Sequence, residues 1–413
     1  MIRNPKIISL ERRRPKPPIP LIVVLGMPEG NHSIVVQKWM RSQPRQKTVY
    51  LNPASLDDPD TQECPQCILL EKTLGKLQET LKLNCFELEE IWLEAPLELN
   101  PRKLIEELTR VPEIRLAAVT TWIDSIHFLR DFSSDQEWQD RIQGTSQTIS
   151  LDFQQEPFLE TWIDQLEFCN AHLLMGLDDL PRKEQESILT ILRTLQPEAI
   201  QIRADQVSDW GKDSFYWNLF DSEKIYNSCA WKQMLASKKP SPHLFRSKRP
   251  FHPGRLNALI EEWPEVILRS FGTVWLSSHN HMALTLSQTG PAGFFFSPEG
   301  YWIGTLTSAD QRFALQEHPE LLSDWDKKFG DRMTELAFVS TEPLGQDWIQ
   351  RLESCVLNDI EMRMDWSKFP NPFPTFEHDE GDGDETSELA HSHEKSIVSR
   401  KVTHLRLLAG DSE

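Results

Sequence analysis

The sequence predicts an α/β fold, a parallel sheet with helices on both faces, followed by a smaller α+β unit. Three observations carry that reading. Between residues 19 and about 205, short apolar runs alternate with helical patterns, the order that builds parallel sheets through helical crossovers. The run Leu21 to Leu25 is unbroken and apolar, as suits a strand buried on both faces. From 243 to about 362 the pattern changes to separate strand-like runs with two helical stretches.

In the first unit the strand candidates are Leu21–Leu25, Thr48–Leu51, Glu90–Leu93, Leu116–Ile123, Ala171–Leu174 and Ala199–Ile202. The helix candidates are Ile34–Arg41, Ile68–Leu83, Pro101–Arg110, Phe158–Phe168 and Arg182–Leu195. Ligands of such sheets sit at the carboxyl ends of the strands. The polar stretch Asp131–Glu156 reads as an insertion or mobile loop. In the second unit, strands are expected at Val274–Leu276, Ala283–Leu286 and Glu335–Val339, and helices at Pro253–Glu262 and Asp347–Cys355. The domain reading is a basic arm over 1–18, the α/β domain over 19–205, a linker over 206–242 and the α+β domain over 243–362. A largely disordered acidic, His-bearing tail over 363–413 completes it.

At 413 residues, with 39% hydrophobic residues and 14 tryptophans, the chain can bury two or three cores. Lys+Arg 44 against Asp+Glu 63 gives a net charge of −19, which argues against nucleic acid as a partner, because phosphate backbones need a basic surface. No run of about 18 apolar residues is present, so no membrane span is expected. The N-terminal Arg3, Lys6, Arg12, Arg13, Arg14 and Lys16 are followed by no adequate apolar segment, so a secretory signal is not expected. Six dispersed cysteines fit reduced thiols and a cytoplasmic location. Cys85, Cys169, Cys229 and Cys355 read as small core hydrophobes. Trp92, Trp122, Trp263 and Trp275 read as core, and His252 as the start of a helix. His279 and His281 read as structural residues of an exposed hairpin.

The stretch Leu21 to Ile34 has the layout of a phosphate-binding loop. Gly26, Gly30 and Ser33 hold their places, while His32 stands where the lysine belongs and Asn31 where a close-approach glycine belongs. A neutral histidine supplies no fixed charge to phosphate oxygens. Ser33 and Asp124 are candidate Mg²⁺ partners, and the plainer reading of Ser33 is a helix cap. The second chemical feature is Cys64-Pro65-Gln66-Cys67. Two thiolates at this spacing reach one ion and suit zinc or Cu(I). A third ligand would come from Asp57, Asp58, Asp60, Glu63 or His32; the plainer reading is two incidental cysteines at a helix start. His378, His391 and His393 among tail carboxylates are thin evidence for metal handling. Val402 to Leu408 forms a final basic, apolar patch that would dock or add a strand.

The order of these motifs resembles the CobW family of P-loop GTPases tied to metal delivery. The resemblance rests on the loop Val23 to Ser33, on Glu63-Cys64-Pro65-Gln66-Cys67 against the family's C-x-C-C, and on Glu94-Ala95-Pro96-Leu97 against E-T-T-G. Val119 to Asp124 stands for V-V-T-V-V-D, and Met175-Gly176-Leu177-Asp178 for the guanine-reading N-K-x-D, with a one-residue shift onto Asp179 as the other alignment. In the second unit, Arg249 to Leu256, Ser270 to Leu276 and Gly330 to Leu336 are similar to the family's C-terminal domain. The resemblance implies a P-loop GTPase-like sheet, nucleotide contacts from Gly26, Gly30, Asn31, His32, Ser33 and Asp178, and zinc (or cobalt) held by Cys64 and Cys67. It also implies a client metalloprotein. The replacements at Asn31, His32, Met175, Gly176, Leu97 and Gln66 argue against competent GTP and Mg²⁺ binding. The leading expectation is a metal-binding, chaperone-like protein with an impaired nucleotide site. The alternatives are a slow GTPase or ATPase driving metal transfer, or a metal-free scaffold.

Overall fold

The computed structural model describes residues 17–26, 47–84, 88–134, 136–142, 148–203, 219–237, 241–290, 293–323, 325–375 and 396–399. Several expectations fall outside these residues: the basic arm over 1–16, loop residues Gly30, Asn31, His32 and Ser33, helix Ile34–Arg41, Cys85, the tail histidines and Val402–Leu408.

The first sheet contains β1 (Ile19–Gly26), β2 (Thr48–Leu51), β3 (Glu90–Glu94), β4 (Ile114–Asp124), β5 (Ala171–Met175) and β6 (Ile200–Arg203). Their order is β2-β3-β1-β4-β5-β6, and every pairing is parallel. The connecting helices are α1 (Pro65–Asn84), α2 (Pro101–Thr109), α3 (Ser125–Phe132), α4 (Trp138–Arg141), α5 (Leu151–Gln154), α6 (Phe158–Glu167) and α7 (Arg182–Leu195). The central strands are apolar along their length because both of their faces are withdrawn from water, whereas edge strands β2 and β6 are only half-buried. Leu21, Val23 and Ile91 pack with Leu77 of α1 and Leu104 and Ile105 of α2. Ile22, Val24, Trp92 and Trp122 form another cluster. Helix α2 begins where Asn100 accepts the Arg102 N–H, and it buries Leu104, Ile105 and Leu108 at helical spacing.

The polar stretch Asp131–Glu156 is not a loose loop where it is described. It contains α4 and α5, and it buries Trp138, Ile149 and Phe153 in the core. Buried Arg141 pairs with Asp131 at 2.8 Å and lies over the Phe158 ring. A few large aromatics outweigh many polar neighbours here, because each removes a large apolar area from water. The described part of 206–242 carries α8 (Ser222–Asn227) and α9 (Ala230–Ala236), with Ile225 and Cys229 buried.

The second sheet contains β7 (Leu244–Ser247), β8 (Ile267–Val274), β9 (Met282–Thr289), β10 (Gly293–Tyr301), β11 (Thr334–Ser340) and β12 (Ser396–Ser399). It is antiparallel in the order β12-β10-β9-β8-β11-β7. Its helices are α10 (Pro253–Glu261), α11 (Ser308–Glu317) and α12 (Gln346–Cys355). Leu256, Ile260, Trp348 and Leu352 of α10 and α12 cover Leu284, Phe296 and Phe338 on one face. The strand expected at Val274–Leu276 instead lies upstream as β8, whose Arg269, Ser270 and Gly272 break the apolar run that would mark it. His279 is buried in a short turn rather than exposed, and its Nε2 meets the Pro374 carbonyl at 2.8 Å.

The other face of the second sheet is polar and rests on α6. Buried Arg269 donates to Ser287 Oγ at 2.7 Å and Thr289 Oγ1 at 2.6 Å. Its guanidinium lies 3.5 Å from Asp164 and 3.6 Å from Glu167. Ser287 donates to Glu160 at 3.3 Å, and Trp231 of α9 donates to Glu167 at 2.8 Å. Trp231 also stacks on Phe271 at 4.1 Å. One network of ion pairs and hydrogen bonds therefore joins the second sheet to α6 and α9.

Burial pushes the Glu167 carboxyl from 4.5 up to about 7, against the pull of Arg269. A raised carboxyl adds stability that is complete below its unfolded value and is lost as pH rises through about 7. Wild type should therefore lose stability relative to Glu167→Gln between pH 5 and 8, by about 3 kcal/mol at most. Paired thermal melts across that range read the difference; a difference that stays flat with pH contradicts the assignment.

Candidate metal centre

Parallel pairing brings all six strand ends of the first sheet to one edge: Leu51, Glu94, Gly26, Asp124, Met175 and Arg203. Pairing in register puts Gly26 beside Trp122 and Asp124 beside Met175. Gly26 adopts φ +154°, and a Cβ there would come within 3.1 Å of the Trp122 carbonyl oxygen. Glycine is thus required where β1 leaves the sheet, whatever the following loop binds.

Each acidic candidate on this edge has a protein partner. Glu94 accepts the Tyr50 hydroxyl at 2.5 Å, and burial together with that carboxylate raises the Tyr50 pKa. Asp124 caps α3, accepting the Ile126 N–H at 3.0 Å, and meets His127 Nδ1 at 2.8 Å. Asp178 lies in the turn Leu177–Asp179, which follows left-handed Gly176, and it is ion-paired with Arg203 at the end of β6. Asp179 donates its N–H to the Gly176 carbonyl in the same turn. Asp124 and Asp178 are thus tied to His127 and Arg203, partners that sequence reading did not find. The cap spacing Asp124 to His127 is a local signal for the first, whereas Arg203 reaches Asp178 only through the fold.

Cys64 and Cys67 lie at the start of α1, which follows β2, so they sit on the carboxyl side of the sheet. Pro65 opens the helix with its fixed φ. The Cys64 carbonyl accepts the N–H groups of Cys67 at 3.0 Å and Ile68 at 3.1 Å. The Cys67 N–H also points at Cys64 Sγ, 3.4 Å away. This turn places both sulfurs on one exposed corner, at the positive end of a 20-residue helix.

A cleft of about 530 Å³ adjoins them, lined by Leu56, Asp57, Asp58, Glu63, Ile68 and Glu71 among others. Among the described residues no group of three or more His, Cys, Asp or Glu is arranged to hold a metal. Asp57 pairs with Lys72 at 2.8 Å, and Asp58 accepts the Asp60 N–H at 3.0 Å. The cysteines therefore offer two soft ligands, and the acidic residues before them do not complete a set. Gln66, between the cysteines, faces inward: its side chain bonds Glu98 and Asn100 of the loop after β3.

The second-unit motifs are structural. Arg249 pairs with Asp359 at 2.6 Å, and Arg255 holds Glu361 through bonds of 2.7 and 2.8 Å. The Arg255 bonds hold the Glu361 carboxyl down to about 2. His252 caps α10, as its position before Pro253 suggests. Asp331 accepts the N–H groups of Ile303 and Gly304 at 3.0 and 2.8 Å. Arg332 donates to Asn280 at 2.9 Å and lies over the rings of Trp275 and Phe329. Gly330, at φ +69°, passes so close to Gly304 that a Cβ would come within 2.6 Å of its Cα.

A six-stranded parallel sheet followed by an antiparallel α+β domain defines the fold class of the protein. Residues 241–356 match the family model described as the cobalamin synthesis protein cobW C-terminal domain, so the chain carries a CobW C-terminal domain. The zinc-regulated GTPase metalloprotein activator 1 of Dictyostelium discoideum is 25% identical over 261 residues, covering 60% of this chain and 53% of that protein. A zinc chaperone of Mycobacterium tuberculosis is 27% identical over 139 residues, covering 33% of this chain and 34% of its own length. The matches thus span about half or less of each relative. The crystal structure of the Zn(II)-bound YjiA GTPase from E. coli aligns at 13% identity over 82% of this chain and 99% of that one; at a TM-score of 0.32 the likeness is too slight to carry weight.

If Asp124 serves as a cap, Asp124→Ala costs about 1 kcal/mol, whereas Asp124→Asn keeps most of it. Denaturant unfolding of the two variants checks this. Equal losses in both assign the residue some role that depends on its charge.

Proposed function

We propose that this protein is a CobW-like zinc-binding protein that passes its metal to a client metalloprotein and has an impaired nucleotide site. The observation that carries the reading is the exposed Cys64–Cys67 turn at the start of α1, on the carboxyl side of the parallel sheet. Cysteine suits zinc, and two protein ligands leave two tetrahedral positions open for other donors. A client thiolate or imidazole entering those positions exchanges for the leaving ligands without an uncoordinated ion forming. Such a site holds its cargo and releases it, where a closed four-ligand site would retain it. The names of the two relatives, a zinc-regulated metalloprotein activator and a zinc chaperone, support zinc as the cargo and a metalloprotein as the recipient.

The same reading assigns the nucleotide edge little work. His32 replaces the phosphate-binding lysine and Met175-Gly176 the base-reading pair, while Asp178 is neutralised by Arg203. Restoring the anion-binding function of such a loop takes a cation at position 32. Residues 19–205 then act as the cysteine-bearing domain and 243–362 as a second domain fastened to it through Arg269. The reliance on reduced thiols points to the cytoplasm as the working compartment. Among the described residues no helix is long and apolar enough to cross a membrane.

Metal-stripped, reduced protein titrated with Zn²⁺ against a chelating indicator should take up about one ion per chain. Cys64→Ser with Cys67→Ser should abolish uptake, and Mg²⁺–GTP should leave it unchanged. Undiminished uptake by the double variant would overturn the cysteine assignment. Uptake that shifts with Mg²⁺–GTP would restore the nucleotide site to the mechanism.

A further inference from the structure

We propose that Gln66 is the positioning residue of the cysteine pair. Its side-chain amide fastens the first turn of α1 to the loop leaving β3, so Cys64 and Cys67 are presented as a preformed two-thiol turn. The inference rests on the metal reading above and adds what holds the pair in place.

Both ends of one amide are used. Gln66 Nε2 donates to the Glu98 carbonyl at 2.6 Å, and Gln66 Oε1 accepts the Asn100 N–H at 2.9 Å. A helix start at an exposed corner frays readily, because its first N–H groups lack partners within the helix. Here the turn is tied to a loop that is itself anchored at both ends. On one side, the Ala95 N–H bonds the Val24 carbonyl at 2.9 Å, fixing the loop to β1. On the other, Asn100 caps α2.

In the middle, the buried Glu98 carboxylate accepts the N–H of Ser150 at 2.9 Å and also its hydroxyl. Ser150 in turn caps α5. The circuit closes on the segment ahead of the cysteines, where the Leu151 N–H bonds the Pro59 carbonyl at 3.0 Å and the Leu56 N–H bonds the Thr148 carbonyl at 3.4 Å. Residues 56–59, 148–151, 98–100 and 66 thus form one hydrogen-bonded ring around the start of α1.

A pair ordered in advance loses less conformational freedom when it captures an ion. Position 66 therefore serves geometry rather than ligation. Coupling of this kind is reciprocal: an ion that holds the pair must also steady the Asn100 N–H.

The test compares wild type with Gln66→Met, which keeps the length without the bonds, and Gln66→Glu, which keeps the acceptor alone. In zinc-free protein, hydrogen exchange at the Asn100 amide should speed up about tenfold in Gln66→Met and recover in part in Gln66→Glu. Capture of phenylarsine oxide, which needs both thiols held together, should slow in parallel in Gln66→Met. Unchanged Asn100 exchange and arsenical capture in a folded Gln66→Met protein would overturn the proposal. Should that variant not fold, wild type alone decides: Zn²⁺ or the arsenical should slow Asn100 exchange several-fold, and no slowing overturns it. Failure of wild type to take zinc, with these exchange and arsenical effects present, would overturn the metal reading alone.

Discussion

Parallel pairing of β1 with β3 on one side and β4 on the other sets the terms for the rest of the molecule. A strand in that position has no face toward water, so Leu21 to Val24 are wholly buried and apolar. Strands running the same way end on the same edge, and the helices that follow them start there. The edge therefore collects backbone N–H groups and the positive ends of helices, which is why anion and metal chemistry gathers at such edges. Cys64 and Cys67 belong to that edge because α1 follows β2, not because their own sequence demands it.

The polar residues of the edge divide by how they are satisfied. Glu94, Asp124 and Asp178 each have a neighbour supplying a proton or a positive charge: Tyr50, His127 and Arg203. A carboxylate already matched in this way gains little from a cation and must give up a bond to take one. The cysteines differ. Their backbone groups are engaged in starting the helix, while both side chains reach solvent. The exposed cysteines stand at the start of α1, and the strand-end carboxylates carry neighbouring side-chain partners.

Much of this was legible from residues alone. The six strands of the first sheet were readable because central parallel strands are continuous apolar runs bounded by turns; Thr48–Leu51 matches β2 end to end. Cys64 and Cys67 were legible by spacing. What escaped had partners far along the chain. Nothing local to Gln66 announces Glu98 and Asn100 as its partners, and nothing near Asp178 announces Arg203. Strand β8 escaped because the polar face it turns toward α6 interrupts its apolar pattern with Arg269. The stretch around Trp138 and Phe153 was misread because polar residues outnumber the aromatics that fix it.

The family is most legible where the residues perform no chemistry. Arg255 is spent on Glu361, Asp331 on two backbone N–H groups, and Arg332 on Asn280 and two aromatic faces. These are internal fastenings, and breaking one leaves a partly buried charge or amide unmatched, at a cost comparable to a large share of marginal stability. These fastenings give a physical reason for the α+β domain to keep its family signature. Arg269 reaches from the second sheet to Asp164 and Glu167 of α6 and so fastens that sheet to the first unit.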